Sequence, residues 1–273
     1  MRLPAPSIAP LVPAPTRTVQ FVIELVGPRS VPASQAAELL RPDWRAALGQ
    51  PELWAMRPAD TAWQPLRAQT HGSYDSIALA WDLVTPQGDL SPASATHLVG
   101  VAERFANAIG RRAIPLTAPG DLPQEARRLK QAGEALDAGL SVLMVSPRPV
   151  AVSEFGRELE AMGLTPANEE WGWFGEGHPE PLFAATPFEA SVTDGLTLGF
   201  RLARCPDPIV AIEGLLNVVD ALSRSGLAAF DEDRRPLTAA TREALRQGIR
   251  AGTEALASIG LAPGSWPALK VFV

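Results

Sequence analysis

LTLGFRLA, residues 196–203, places Leu196, Leu198, Phe200 and Leu202 at alternate positions, with Thr197, Gly199, Arg201 and Ala203 between them. Side chains on a strand point alternately to its two faces, so this pattern predicts a strand with one buried and one more exposed face. Working outward, LSVLMVS (140–146) predicts a strand and residues 153–162 a helix. EEWGWF and PLFAA follow as strands, residues 208–223 as a helix, and a last helix starts at Thr238.

The first half repeats this order. VQFVIELV from Val19 is a strand, Ser34 is the expected cap of a helix through Leu40, and PELWAM and SIALAWDLV are strands. Residues 92–109 and 122–136 carry apolar side chains at helical spacing. Pro115-Leu116-Thr117 returns as Pro236-Leu237-Thr238, Glu134-Ala135-Leu136 as Glu254-Ala255-Leu256, and Trp54-Ala55-Met56 is answered by Trp171-Gly172-Trp173. Offsets that drift by a few residues while the order holds are the pattern of a duplicated domain. The expected fold is α+β: two tandem modules, 18–139 and 140–273, each a mainly antiparallel sheet with helices on one face. Five prolines in MRLPAPSIAPLVPAPTR predict a disordered arm over residues 1–17.

Composition narrows the function. With 46% apolar and 20% charged residues the chain can bury two cores. A net charge of −6 argues against nucleic acid, whose phosphates need a basic surface. The short basic runs Arg111-Arg112, Arg127-Arg128-Lys130 and Arg234-Arg235 read as solvated faces. The single Cys205 and the lack of an apolar run near 20 residues fit a cytoplasmic protein without a direct membrane span.

Catalytic patterns are missing. His71, His97 and His178 fall in a loop, at a helix start and in a loop, away from any nucleophile elbow. Asp231-Glu232-Asp233 reads as a solvated turn rather than a metal site, and Gly175-Glu176-Gly177 opens no helix that could cradle phosphate. We therefore expect no enzyme, metal or cofactor. What stands out is the aromatic supply on strands: Trp54, Trp171, Trp173 and Phe188. These side chains either belong to the core and module contacts or line an apolar peptide groove.

From Gly139 onward the sequence resembles the FtsZ-binding domain of ZipA, a bacterial cell-division protein. The resemblance is carried, in order, by Met162-Gly163-Leu164, Pro181-Leu182-Phe183-Ala184, Gly195-Leu196-Thr197-Leu198, Ala221-Leu222, FDEDRRPLTAATREAL and the tail LAPGSWPALKVFV. The first half resembles the family mostly through the second. The resemblance implies a sheet backed by helices whose open face binds the tail peptide of FtsZ, the tubulin-like division protein. Carried over, Leu143, Val145, Trp171, Trp173 and Phe188 line the groove, with Gly199 and Arg201 on the neighbouring strand. Gly199 and Glu169 stand where the family favours apolar side chains, which implies a different peptide. The family also has an amino-terminal membrane span and linker in place of the short proline-rich arm. Two alternatives stay open: a small-molecule sensor or enzyme using the cleft between modules, and a scaffold with no ligand groove.

Overall fold

The computed structural model describes residues 2–4, 6–68, 71–176 and 178–272. The chain divides into one unit over Val12–Glu134 and another formed by Ala135–Val273 together with Met1–Leu11. The boundary thus falls in the last turn of a helix, a few residues ahead of Gly139.

In the amino-terminal unit the elements run β1 (Gln20–Val26), β2 (Val31–Pro32), α1 (Ala33–Ala36), α2 (Pro42–Ala47), β3 (Glu52–Met56), β4 (Gln64–Pro65), β5 (Ser73–Tyr74) and β6 (Ser76–Asp82). They continue with β7 (Val84–Thr85), β8 (Gly88–Asp89), α3 (Pro92–Ala108), β9 (Arg112–Pro115) and α4 (Leu122–Leu136). Five strands make an antiparallel sheet in the order β4-β3-β6-β1-β9. Its core gathers Phe21, Ile23, Leu25, Ile77 and Leu79, all buried, with Phe105 of α3. Ser91 caps α3 by accepting the Ser94 N–H, and Pro92 at the first helical position fits the fixed φ of proline.

Two readings of this half change. Ser34 does not cap α1, which begins at Ala33; the Ala33 N–H is satisfied by the Gly72 carbonyl at 2.9 Å, so a neighbouring loop does what a side-chain cap would do. Arg111, expected on a solvated face, is only 4% exposed. Its Nη1 donates to the carbonyls of Leu25 (2.6 Å) and Asp75 (2.8 Å), and its Nη2 to that of Arg29 (2.7 Å). One guanidinium therefore ties the end of β1, the loop after it and the β5–β6 corner, because its planar fork reaches several acceptors at once. Arg111→Ala should lower unfolding stability by about 3 kcal/mol in a denaturant titration, since it strands buried carbonyls. Lysine, with a point charge and no fork, should recover less than half of that.

In the carboxyl-terminal unit the order is β10 (Gly139–Ala151), α5 (Val152–Ala161), β11 (Thr165–Ala167), β12 (Glu170–Phe174), β13 (Pro181–Pro187) and β14 (Val192–Arg201). Then come α6 (Pro208–Arg224), β15 (Ala228–Asp231), α7 (Ala239–Ser258) and α8 (Trp266–Val271). Six strands form an antiparallel sheet in the order β11-β12-β13-β14-β10-β15. Helices α5 and α6 pack on it, and α7 packs on α6, where Arg246 Nε meets Glu213 Oε1 at 2.7 Å. Asp207, Thr238 and Ser265 cap α6, α7 and α8 with their side chains.

The two units share one arrangement at the centre of their sheets. The first strand lies between the last strand of its own sheet before a 17-residue helix and the strand after that helix: β1 between β6 and β9, with the small β7–β8 hairpin intervening before α3, and β10 between β14 and β15. Beside this centre they differ, because β3 pairs directly with β6 whereas β13 stands between β12 and β14. The fold is α+β with antiparallel sheets, and no described helix is long and apolar enough to cross a membrane.

Candidate functional site

The register of the six-stranded sheet decides which of the expected site residues share a face. Directly opposed residues in antiparallel strands point the same way. Trp171 opposes Ala185, Ala185 opposes Leu198, and Leu198 opposes Val142, so these four lie on one face together with Trp173, Phe183, Leu196 and Met144. Apart from Trp171, which is half-buried, all of them are buried. The other face carries Ser141, Leu143 and Val145 on β10, Thr197, Gly199 and Arg201 on β14, Ala184 and Thr186 on β13, and Phe230 on β15.

Helices α5 and α6 cover the tryptophan face. A Cβ on Gly214 of α6 would fall 2.4 Å from Trp173 Cζ3, and one on Gly156 of α5 would fall 2.6 Å from Trp171 Cζ2. Each helix thus brings bare backbone against one indole, an approach only glycine permits. Trp173 also packs on Phe183 with ring centroids 5.5 Å apart, and Trp171 Nε1 donates to Glu160 Oε1 at 3.3 Å. The expectation that both tryptophans line the groove with Leu143 and Val145 is corrected: they do share a face, but it is the one under the helices.

The outer face holds the rest. Leu143, Val145, Thr197, Gly199, Ala184 and Phe230 are half-buried, and Thr186, Arg201 and Ala228 are exposed. Ser141, Gly199, Ala184 and Gly172 form one row across β10, β14, β13 and β12, a lane without large side chains. Leu143 and Phe230, directly opposed on β10 and β15, stand beside it. Phe174 folds its ring over Gly172 and Phe188 folds its ring over Gly195, where added Cβ atoms would come within 2.4 and 2.5 Å of them. Phe188 is 42% exposed, and its N–H donates to the Gly195 carbonyl at 3.1 Å. At the start of β13 the face closes, with Leu182 fully buried.

Charge enters at two places. Arg201 is held by Asp137 through Nη2 at 2.8 Å, an exposed pair that contributes little stability. At the edge, where the β11–β12 turn meets the β13–β14 turn, a cleft of about 420 Å³ is lined by Trp171, Phe188 and Val152 with Glu169, Glu170 and Glu189. Among the described residues no Lys or Arg lines it. Asn168, at φ +56°, supplies the left-handed residue of that two-residue turn and sets Glu169 at the rim.

Phe174 and Phe230 were missed as site residues. Alternation along EEWGWF already separates Phe174 from Trp173, but nothing in the pattern says which of the two faces a helix will cover. Other candidates settle as structural groups. Cys205 is buried, its thiol pushed far above the ordinary range by burial, and Sγ donates to the Leu182 carbonyl at 3.2 Å. His178 is buried and its Nδ1 accepts the Glu180 N–H at 3.2 Å. Asp231 accepts the Arg235 N–H at 2.8 Å within a turn. Among the described residues no group of three His, Cys, Asp or Glu is placed to hold a metal ion.

No family model matches the chain, and no curated protein matches it. The two faces make opposite predictions on truncation. Trp173→Ala should cost about 4 kcal/mol of unfolding stability, as expected for a large buried aromatic, whereas Leu143→Ala should cost about 1 kcal/mol; denaturant titrations of both variants check this.

Proposed function

We propose that the carboxyl-terminal unit is a peptide-binding module that works without catalysis, using the outer face of its six-stranded sheet. The observation that carries this reading is the lane of small residues flanked by accessible apolar side chains, Leu143, Val145 and Phe230, with the Phe174 and Phe188 rings at its margins. Such a surface offers backbone-close approach and apolar anchors, the two features that extended or helical peptides use on docking. The ordered motifs from Gly139 onward resemble the ZipA domain, and on that ground the partner we propose is the FtsZ tail peptide, in bacterial cell division.

The acidic cleft beside Phe188 refines the ligand. With Glu169, Glu170 and Glu189 around Trp171 and Phe188, it favours a peptide that places a Lys or Arg side chain there. Arg201 is engaged by Asp137 and adds little attraction for a peptide carboxylate.

Calorimetric titration with the FtsZ tail peptide from the same organism is the test. Tryptophan fluorescence reports on the cleft alone, which Trp171 lines, since Trp173 is buried under α6 on the opposite face. Saturable binding is expected, and Phe230→Ala or Leu143→Ala should weaken it by about 2 kcal/mol, roughly thirty-fold, with the circular dichroism unchanged. Silence at millimolar peptide removes FtsZ as the partner, and unchanged affinity in both variants removes the outer face as the site. Glu169→Lys should lower the affinity for a peptide with a basic residue and flatten its dependence on salt, measured by repeating the titration from low to high sodium chloride.

A further inference from the structure

The first residues of the chain are not a free tail. Residues 2–4 and 6–11 belong to the carboxyl-terminal unit, and the chain joins the other unit only from Val12. The sequence explains how so short a piece docks. Prolines at 4, 6 and 10 favour the extended polyproline conformation, which repeats every three residues and has no internal hydrogen bonds. Leu3 and Pro6, three apart, therefore share a side of the segment and both are buried, while Pro4, Ser7 and Pro10 are exposed; beyond Pro6 the repeat is left, with Ile8 half-buried and Ala9 exposed. Being pre-extended, such a segment loses little conformational freedom on docking.

Its contacts are specific. The Leu3 N–H donates to the Met162 carbonyl at 2.8 Å, at the corner between α5 and β11. The next residue, Gly163, has φ +99°, and a Cβ there would stand 3.6 Å from the Leu3 carbonyl oxygen. Further along, Ile8 lies over Gly175 at the end of β12, where a Cβ would fall 2.0 Å from Ile8 Cδ1. The unit thus presents a carbonyl acceptor, a seat for Leu3 and Pro6, and a glycine notch for Ile8.

We infer that this surface is a second peptide site, separate from the outer sheet face, and that the amino-terminal arm is its tethered occupant. Its ligand class is an extended, proline-containing segment with the spacing Leu-x-x-Pro-x-Ile. A segment of that kind from another chain takes the place when the arm is released. While tethered, the arm competes at an effective concentration on the order of millimolar.

The experiment uses the full chain and a labelled peptide of residues 2–11. Three proteins are compared by fluorescence anisotropy: wild type, a Leu3→Asp/Ile8→Asp variant whose arm is expelled, and the same variant carrying Gly175→Ala. The arm-expelled protein should bind the peptide about ten-fold more tightly than wild type, and Gly175→Ala should abolish that gain by filling the Ile8 notch. Hydrogen exchange at the Leu3 amide of the wild type gives an independent reading that survives any folding defect in the variants. Protection relative to the free peptide is expected. Equal affinities in wild type and the arm-expelled protein, binding indifferent to Gly175→Ala, or a Leu3 amide that exchanges as fast as in the free peptide would each overturn the inference.

Discussion

Two indoles meeting two glycines set the arrangement of the carboxyl-terminal unit. Trp173 rests on α6 at Gly214 and Trp171 on α5 at Gly156, each so close that a single Cβ would collide with the ring. Large flat side chains pressed on bare helix backbone give dense packing over a wide area, and packing of that density tolerates little displacement. Because both tryptophans stand on β12 two residues apart, they fix the same face, and the helices are held to one side of the sheet. The opposite face is left to Leu143, Val145, Phe230 and the small-residue lane. Its availability is thus a consequence of where the largest side chains went.

The amino-terminal unit reaches its form with different means. Its sheet has the same central trio, but the end of β1 is secured by a buried guanidinium with carbonyl partners instead of an aromatic against glycine. Aromatic weight is placed elsewhere: Trp44 meets Phe105 edge-on at 5.1 Å, and Trp81 donates its indole N–H to the Leu48 carbonyl at 2.7 Å. Trp54 is buried at 4% exposure. An interior that depends on a buried charge is specific but unforgiving, since the guanidinium is tolerable there only while its acceptors are in place.

On one unit the surfaces available to a ligand are chemically distinct. The outer sheet face mixes Leu143, Val145 and Phe230 with Ser141, Thr186, Thr197 and Arg201, the cleft beside Phe188 is acidic and aromatic, and the α5–β11 corner already holds Leu3 of the amino-terminal arm. As the sites proposed above, the corner and the sheet face would select different features of a peptide: a Leu-x-x-Pro-x-Ile segment at one, anchors laid on strands at the other.

Much of the fold was legible in the residues. Periodicity located α3, α4 and α6 to within a residue or two of their ends, and the start of α7, since Ser91, Asp207 and Thr238 cap and Pro92 and Pro208 start helices by local chemistry alone. Alternation in LTLGFRLA correctly separated Leu196 and Leu198 from Thr197 and Gly199, and it placed Trp171 and Trp173 on a common face. Which face the helices would cover was not legible. That choice depends on Gly156 and Gly214, distant in sequence from β12, coming to lie over the indoles. Arg111 and the proline-rich arm misled for the same reason: a cation with its acceptors brought from three other segments, and a tail whose buried partners begin at Met162, look solvent-exposed until the chain is folded. Local conformation follows from the short-range sterics and hydrogen bonding of neighbouring residues, and the sequence by itself determined that much. The identity of the open face, the burial of Arg111 and the seating of the arm rest on contacts between segments far apart in the chain, and only the tertiary structure decided them.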